Sequence, residues 1–285
     1  MQFMIIRRAD AATEADIPPS APLIAEMEAY FRSLADAGAL VMVQGLAPSR
    51  EALRLHLGPG GSDVAAGPFD LRELAAGFLV VEADAKEDAV AWARRWPAAE
   101  AAANGGLTLE VREAGCVGGC VEVPLADGAG GKRYVILLRS DADCERDAVP
   151  EQARLDALDA FNAAQAAAGV LLAGDGLMSS SRGARVHIDA RGASTVVDGP
   201  FAEAKELIAG FWMIRADSMA AALAWARTVP YPTGPGVVVE IRAQHADGEP
   251  ATAAALSPEE ARADASLRAG LLDDALRDEL APRLA

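Results

Sequence analysis

The sequence predicts an α+β protein built from two copies of one βαββαβ unit, and three observations predict it. Apolar runs short enough for strands alternate with helix-period segments in the order β-α-β-β-α-β. That order returns after about 130 residues, a period that means duplicated domains and not a solenoid. Short segments also match between the copies in the same sequence. Ala37-Gly38-Ala39-Leu40 faces Ala168-Gly169-Val170-Leu171, Gly45-Leu46 faces Gly176-Leu177, and Gly67-Pro68-Phe69 faces Gly199-Pro200-Phe201. Ala91-Trp92-Ala93-Arg94 faces Ala224-Trp225-Ala226-Arg227, and Glu110-Val111-Arg112 faces Glu240-Ile241-Arg242.

In the first copy, Phe3 to Ile6 is a short apolar run suited to a buried strand. From Leu23 the spacing Leu23, Met27, Tyr30 with Phe31, Leu34 marks one face of a helix, and Gly38 stands where a C′ glycine ends it. Ala39 to Val43 is the next strand. Residues 50–57 extend it or form a hairpin arm before the Gly58-Pro59-Gly60-Gly61 turn. Gly77 to Glu82 is a strand. Asp84 or a neighbour caps a helix through Trp92 that stops at Pro97, and Leu107 to Val111 closes the unit.

The second copy runs in parallel. Tyr134 to Leu138 is its first strand, residues 151–168 its long helix with Gly169 as the stop, and Val170 to Ala173 the strand after it. Val186 to Ile188 and Thr195 to Val197 flank the turn Asp189-Ala190-Arg191-Gly192 as a hairpin. Phe211 to Ile214, the helix Met219 to Arg227 stopped by Pro230, and Val237 to Ile241 complete it. The domains read as 1–115, a Gly-rich linker 116–133, 134–245, and a C-terminal helical extension 246–285. In the extension, Ser257-Pro258-Glu259-Glu260 fits a capping box ahead of an apolar stripe that docks on a domain or on a partner chain in a homodimer.

Two helices on one face of an antiparallel sheet make a ferredoxin-like plait whose other face is bare. A tandem copy covers that face economically. The expectation is an intramolecular pseudo-dimer, a dimeric α/β-barrel within one chain, with a pocket between the sheets or between a sheet and its loops.

Composition excludes several classes. The net charge of −16 repels phosphate backbones, and no basic stripe with interleaved aromatics interrupts it, so no nucleic-acid partner is expected. No long charge-free apolar window spans a membrane, and the N-terminus lacks a signal-peptide pattern; the expectation is a soluble cytoplasmic protein. The three cysteines Cys116, Cys120 and Cys144 are an odd count, which argues against a disulfide framework and for a reducing compartment. Cys116 and Cys120 supply two thiols where a tetrahedral zinc site needs four ligands, so no metal is expected. No Walker loop, G-x-G-x-x-G, G-x-S-x-G or HExxH occurs, and no cofactor is expected.

The segment Asp198-Gly199-Pro200-Phe201, with Glu203, Lys205, Glu206 and Gly210-Phe211, resembles the DGPF-type proteins of the YciI-related (YCII) family. The resemblance covers the second half well and the first half weakly, where Ala66 replaces the Asp. It implies the dimeric α/β-barrel fold. It also implies kinship with proteins linked to extracytoplasmic-function sigma factors, and with enzymes that isomerise or dehalogenate ring lactones through a His-Asp pair. Pro18 to Met27 and Pro150 to Leu158 contain no histidine, so that pair does not carry over.

The candidate catalytic residues are Asp198, at a strand end, and Asp175, between Gly174 and Gly176. Each has a structural alternative, an Asx-type turn for Asp198 and a tight strand-end turn for Asp175. Lys205, Glu203 and His187 are candidate ligand-binding residues, against solvated charges and a half-exposed sheet histidine. Two functions stand. One is a small-molecule-binding or regulatory module of a stress or sigma-factor-linked system. The other is an isomerase- or lyase-like enzyme that moves a proton on a small organic acid or lactone. A pocket carboxylate with a raised pKa favours the enzyme, and a packed apolar interior favours a binding or structural role.

Overall fold

The computed structural model describes residues 1–117, 123, 132–202, 206–234 and 236–244. The first half contains β1 (Gln2–Arg8), α1 (Ala11–Glu14), α2 (Ala21–Asp36), β2 (Leu40–Gly45), β3 (Leu53–Gly58), β4 (Gly61–Ala66), β5 (Ala75–Glu82), α3 (Lys86–Ala93), α4 (Ala98–Ala103) and β6 (Gly106–Glu113). The second contains β7 (Arg133–Arg139), α5 (Gln152–Ala167), β8 (Leu171–Gly176), β9 (Ala184–Asp189), β10 (Ser194–Asp198), β11 (Ile208–Arg215), α6 (Met219–Ala226) and β12 (Val237–Ala243). The expected C-terminal helix and most of the linker lie outside the described residues.

The strands form two antiparallel sheets, β10-β9-β6-β1-β5-β2 and β4-β3-β12-β7-β11-β8. Four strands of each sheet keep the ferredoxin-like order of their own half. The other two are a hairpin supplied by the opposite half. β9 pairs with β6, placing His187 opposite Thr108, and β3 pairs with β12, placing His56 opposite Val238. The expected hairpin arms exist, and they cross between the copies. Each sheet is therefore incomplete without the other half.

The two long helices follow their sequence signals. Ser20 caps α2 through Leu23 N–H, and Gly38 and Gly169 end α2 and α5 at φ +67° and +68°. Two short helices carry no periodic signal. α1 is one turn closed by a reciprocal Asp10–Thr13 capping box, with Thr13 N–H on Asp10 Oδ1 at 2.9 Å. α4 is an alanine-rich helix that begins at the proline expected only to stop α3. α3 itself starts after Ala85, without the side-chain cap expected from Asp84 or a neighbour.

Three apolar cores result among the described residues. One lies between the first sheet and its helices, and a second between the second sheet and its helices. The third lies between the sheets, where Met4, Ile6, Phe78, Leu137, Phe211 and Met213 meet. Phe78 and Phe211 approach at 5.1 Å between ring centroids, one from each half, so the barrel interior is packed with side chains.

The repeated Gly-Pro-Phe segment is a close-approach turn. A Cβ on Gly199 would stand 1.8 Å from Ser180 O, and one on Gly67 1.8 Å from Ser49 O, so only glycine fits either position. Both Gly-Pro bonds are cis. Phe201 N–H then donates to Ser180 Oγ at 3.0 Å, and Phe69 N–H to Ser49 Oγ at 3.2 Å.

The cysteine expectation is overturned at one position: Cys116 is disulfide-bonded, while Cys144 keeps a free thiol. The residue before Cys116 is Gly115, whose N–H donates to Gly176 O at 2.9 Å. An odd cysteine count does not exclude one pair with a cysteine left over, and the inference of a reducing compartment loses its basis.

Candidate functional site

The exchanged hairpins bring charge into the interior at two equivalent places. In the second sheet Glu240, fully buried, accepts from Arg54 Nε at 2.9 Å, from Arg242 Nη1 at 2.9 Å, and from Arg139. In the first sheet Glu110, also buried, accepts from Arg185 Nε and Arg112 Nη1, each at 3.1 Å. Arg54 and Arg185 come from the visiting hairpins, so each cluster ties one half to the other. The phenylalanine of each Gly-Pro-Phe turn lies under that arginine, Phe69 at 4.1 Å from the Arg54 guanidinium and Phe201 at 4.2 Å from that of Arg185.

Behind each cluster stands a second carboxylate. Glu14 accepts from Ser49 N–H at 2.9 Å and pairs with Arg242 at 3.4 Å. Glu145 accepts from Ser180 N–H at 3.0 Å and pairs with Arg112 at 3.5 Å. Burial alone raises the Glu240 carboxyl, but Arg139, Arg242 and Arg54 outweigh it and hold the group at about 2. A carboxylate held that low stays ionised and is a poor proton carrier near neutral pH. The clusters are built for clamping.

A cleft of about 450 Å³ opens beside the first cluster, lined by Arg8, Thr108, His187, Asp189 and Thr195 among others. His187 Nδ1 lies 2.9 Å from Thr108 Oγ1. Burial, and then the neighbouring Arg185 charge, lower its pKa, which favours the neutral imidazole. Arg8 donates to Glu206 O at 2.9 Å and pairs with the Glu206 carboxylate at 3.7 Å, and burial lowers its pKa as well. Asp189 is turned to its own hairpin, accepting from Arg191 N–H at 2.8 Å and Ala193 N–H at 2.9 Å. At the equivalent positions of the second sheet, His56 is retained but Thr108 is replaced by Val238.

A smaller cavity of about 90 Å³ lies on the helix side of the second sheet and includes Asp175 in its lining. Asp175 Oδ1 accepts from Gly176 N–H at 2.7 Å, the strand-end turn contact. Cys144 also lines it, and burial pushes that thiol up to about 12, which disfavours the thiolate. Asp198 lines neither space. Its side chain is 70% exposed and accepts from Lys86 Nζ at 2.7 Å, an ion pair between the halves that sequence reasoning did not reach. Glu203 and Lys205 lie outside the described residues. Thus the structure separates Asp198, Asp175 and His187 into three places.

Sequence reasoning missed the buried arginines and glutamates. Their signal was present as the repeated Glu-x-Arg at 110–112 and 240–242, which served only to align the copies. Among the described residues, no group of three or more His, Cys, Asp or Glu side chains is placed to hold a metal. No helix among them is long and apolar enough to cross a membrane.

The description of the YCII-related domain matches residues 1–113 and again residues 133–244. Among solved structures, a crystal structure of an anthrone oxidase-like protein is similar over 86% of this chain and 90% of its own, at 12% identity and a TM-score of 0.30. No curated protein matches significantly. The fold assignment rests on the strand order itself.

Proposed function

Because the chain belongs to the YCII-related domain family in both of its halves, we propose that it is a small-molecule-binding module whose ligand, a small organic acid, occupies the cleft beside His187. The observation that carries the reading is the pairing of His187 with Thr108 in a cleft that also contains Arg8. An imidazole and a hydroxyl offer hydrogen bonds, and the arginine supplies positive potential for an anion. Binding without turnover is favoured by the packed barrel interior and by buried carboxylates that arginines neutralise. A regulatory setting of the kind implied by the DGPF resemblance, in a stress or sigma-factor-linked system, needs only such a sensor.

The test is a thermal-shift screen of small mono- and dicarboxylates against their neutral amides. A ligand bound by the native state alone raises the melting temperature with concentration. Saturable stabilisation by an acid and not by its amide supports the reading, and no stabilisation by any acid removes it.

The second reading is proton transfer on a small acid or lactone, with Asp175 as the base. It draws on the place of Asp175 in the lining of the smaller cavity. Asp175→Asn retains the fold and abolishes turnover if that reading holds.

A further inference from the structure

We infer that the smaller cavity of the second half is a separate binding site, for a small neutral molecule with one carbonyl oxygen. The inference is independent of the cleft at His187. Leu138, Leu158, Ala209 and Trp212 give the cavity apolar walls. The polar group set into them is Asn162 on α5, which is 6% exposed. Trp212 Nε1, which can only donate, donates to Asn162 Oδ1 at 3.2 Å. That bond fixes the amide orientation and leaves the Nδ2 donor as what Asn162 offers. Among the described residues, Nδ2 has no hydrogen-bond partner. Nδ2 is not a fully buried atom, so it is a donor accessible to a molecule in the cavity, where a ligand acceptor can pair with it.

The cavity belongs to the second copy because the copies differ where it lies. The equivalent of Asn162 is Phe31, the equivalent of Gly174 is Val43, and the equivalent of Trp212 is Leu79. Phe31 and Val43 place side-chain volume where the second half has a short amide and no side chain. Gly174 is held small by its neighbours, since a Cβ there would stand 3.2 Å from Trp212 Cδ1.

Charge and size narrow the ligand. Asp147 and Asp175 line the cavity and, among the described residues, no arginine or lysine lines it, unlike the cleft at His187, which disfavours an anion. A volume of about 90 Å³ is below the roughly 150 Å³ of an apolar cavity that binds benzene, so the ligand has about five heavy atoms. A small ketone, ester or aldehyde fits these terms.

The probes are 2-butanone, its hydrocarbon isostere 2-methyl-1-butene, and propionate. Binding to the full chain is followed by NMR of the Trp212 indole and the Asn162 amide protons. The expected result is saturable binding of 2-butanone about tenfold tighter than the alkene, with both signals shifting, and no binding of propionate at this site. Asn162→Leu brings ketone and alkene to within about twofold of each other. Should that variant lose its fold through the unpaired Trp212 indole, Ala209→Val narrows the cavity without touching the amide and weakens 2-butanone about tenfold. Equal affinity for ketone and alkene overturns the inference. So do the absence of saturable binding, a ketone preference that survives Asn162→Leu, and ketone affinity untouched by Ala209→Val.

Discussion

The two halves agree where they hold each other and differ where a ligand is proposed. Glu110 and Glu240, Arg112 and Arg242, Arg185 and Arg54, Ser180 and Ser49, and Phe201 and Phe69 make the same contacts in both sheets. The cleft pairs Thr108 with His187 in one sheet, against Val238 beside His56 in the other. The smaller cavity depends on Asn162 and Gly174, against Phe31 and Val43. A hairpin exchange needs a clamp at both crossings, so both clamps persist. A binding site is needed only once, so its second copy is free to fill in.

The largest effect is expected from breaking a clamp. Glu240→Ala leaves the buried Arg139 and Arg242 and the part-buried Arg54 without their shared carboxylate, and is expected to cost roughly 3–5 kcal/mol. Glu110→Ala costs less, because Glu110 pairs with two arginines, Arg112 and Arg185, where Glu240 pairs with three. Urea denaturation measures both. Equal, negligible losses would show that the clamps do not hold the exchange.

Next is the turn that positions each clamp. Gly199→Ala and Gly67→Ala each drive a Cβ into a serine carbonyl and are expected to cost about 3 kcal/mol apiece. Similar losses at the two sites sharpen the comparison. A tolerated substitution at one site would show that the two turns are not the same device.

Acid acts on the same clamp. The Glu240 carboxyl sits at about 2 in the fold against an ordinary 4.5, so its contribution is fully present above 4.5 and is lost as pH falls toward 2. The difference corresponds to roughly 3 kcal/mol. Glu240→Gln is expected to flatten that part of the stability–pH curve between pH 4.5 and 2, and an unchanged curve would remove Glu240 from the account.

The smallest effect concerns His187. Its folded pKa lies below the ordinary 6.5, so the unfolded chain binds the proton more readily. Stability therefore falls as pH drops through 6.5 and levels off below the folded value. NMR titration of the ring reads the folded pKa directly, and a value at or above 6.5 contradicts the burial assigned to it.

Much of this architecture is legible in the sequence. Gly38 and Gly169, the periodic helix faces and the matched segments mark every core strand and both long helices. The exchange is not legible, because an apolar strand pattern states which face is buried and not which strand lies alongside. For the same reason nothing in the sequence marks Arg54 and Arg185 as partners of Glu240 and Glu110, which the opposite half supplies. Asp198 was prominent for its place beside a conspicuous turn, yet the turn depends on Gly199 and Ser180, and the carboxylate faces Lys86. His187 was legible as a candidate, but Thr108, its partner from the other half, was not.

The most direct test of the central claim compares the two histidines. An acid that stabilises the wild-type chain is titrated against His187→Ala and His56→Ala, with melting temperature as the readout. At a ligand concentration near 100 Kd, the expected stabilisation is about 2.7 kcal/mol, or roughly 5–10 °C. The account predicts that this shift is lost in His187→Ala and retained in His56→Ala. A shift that survives in His187→Ala, or that disappears equally in both variants, contradicts it.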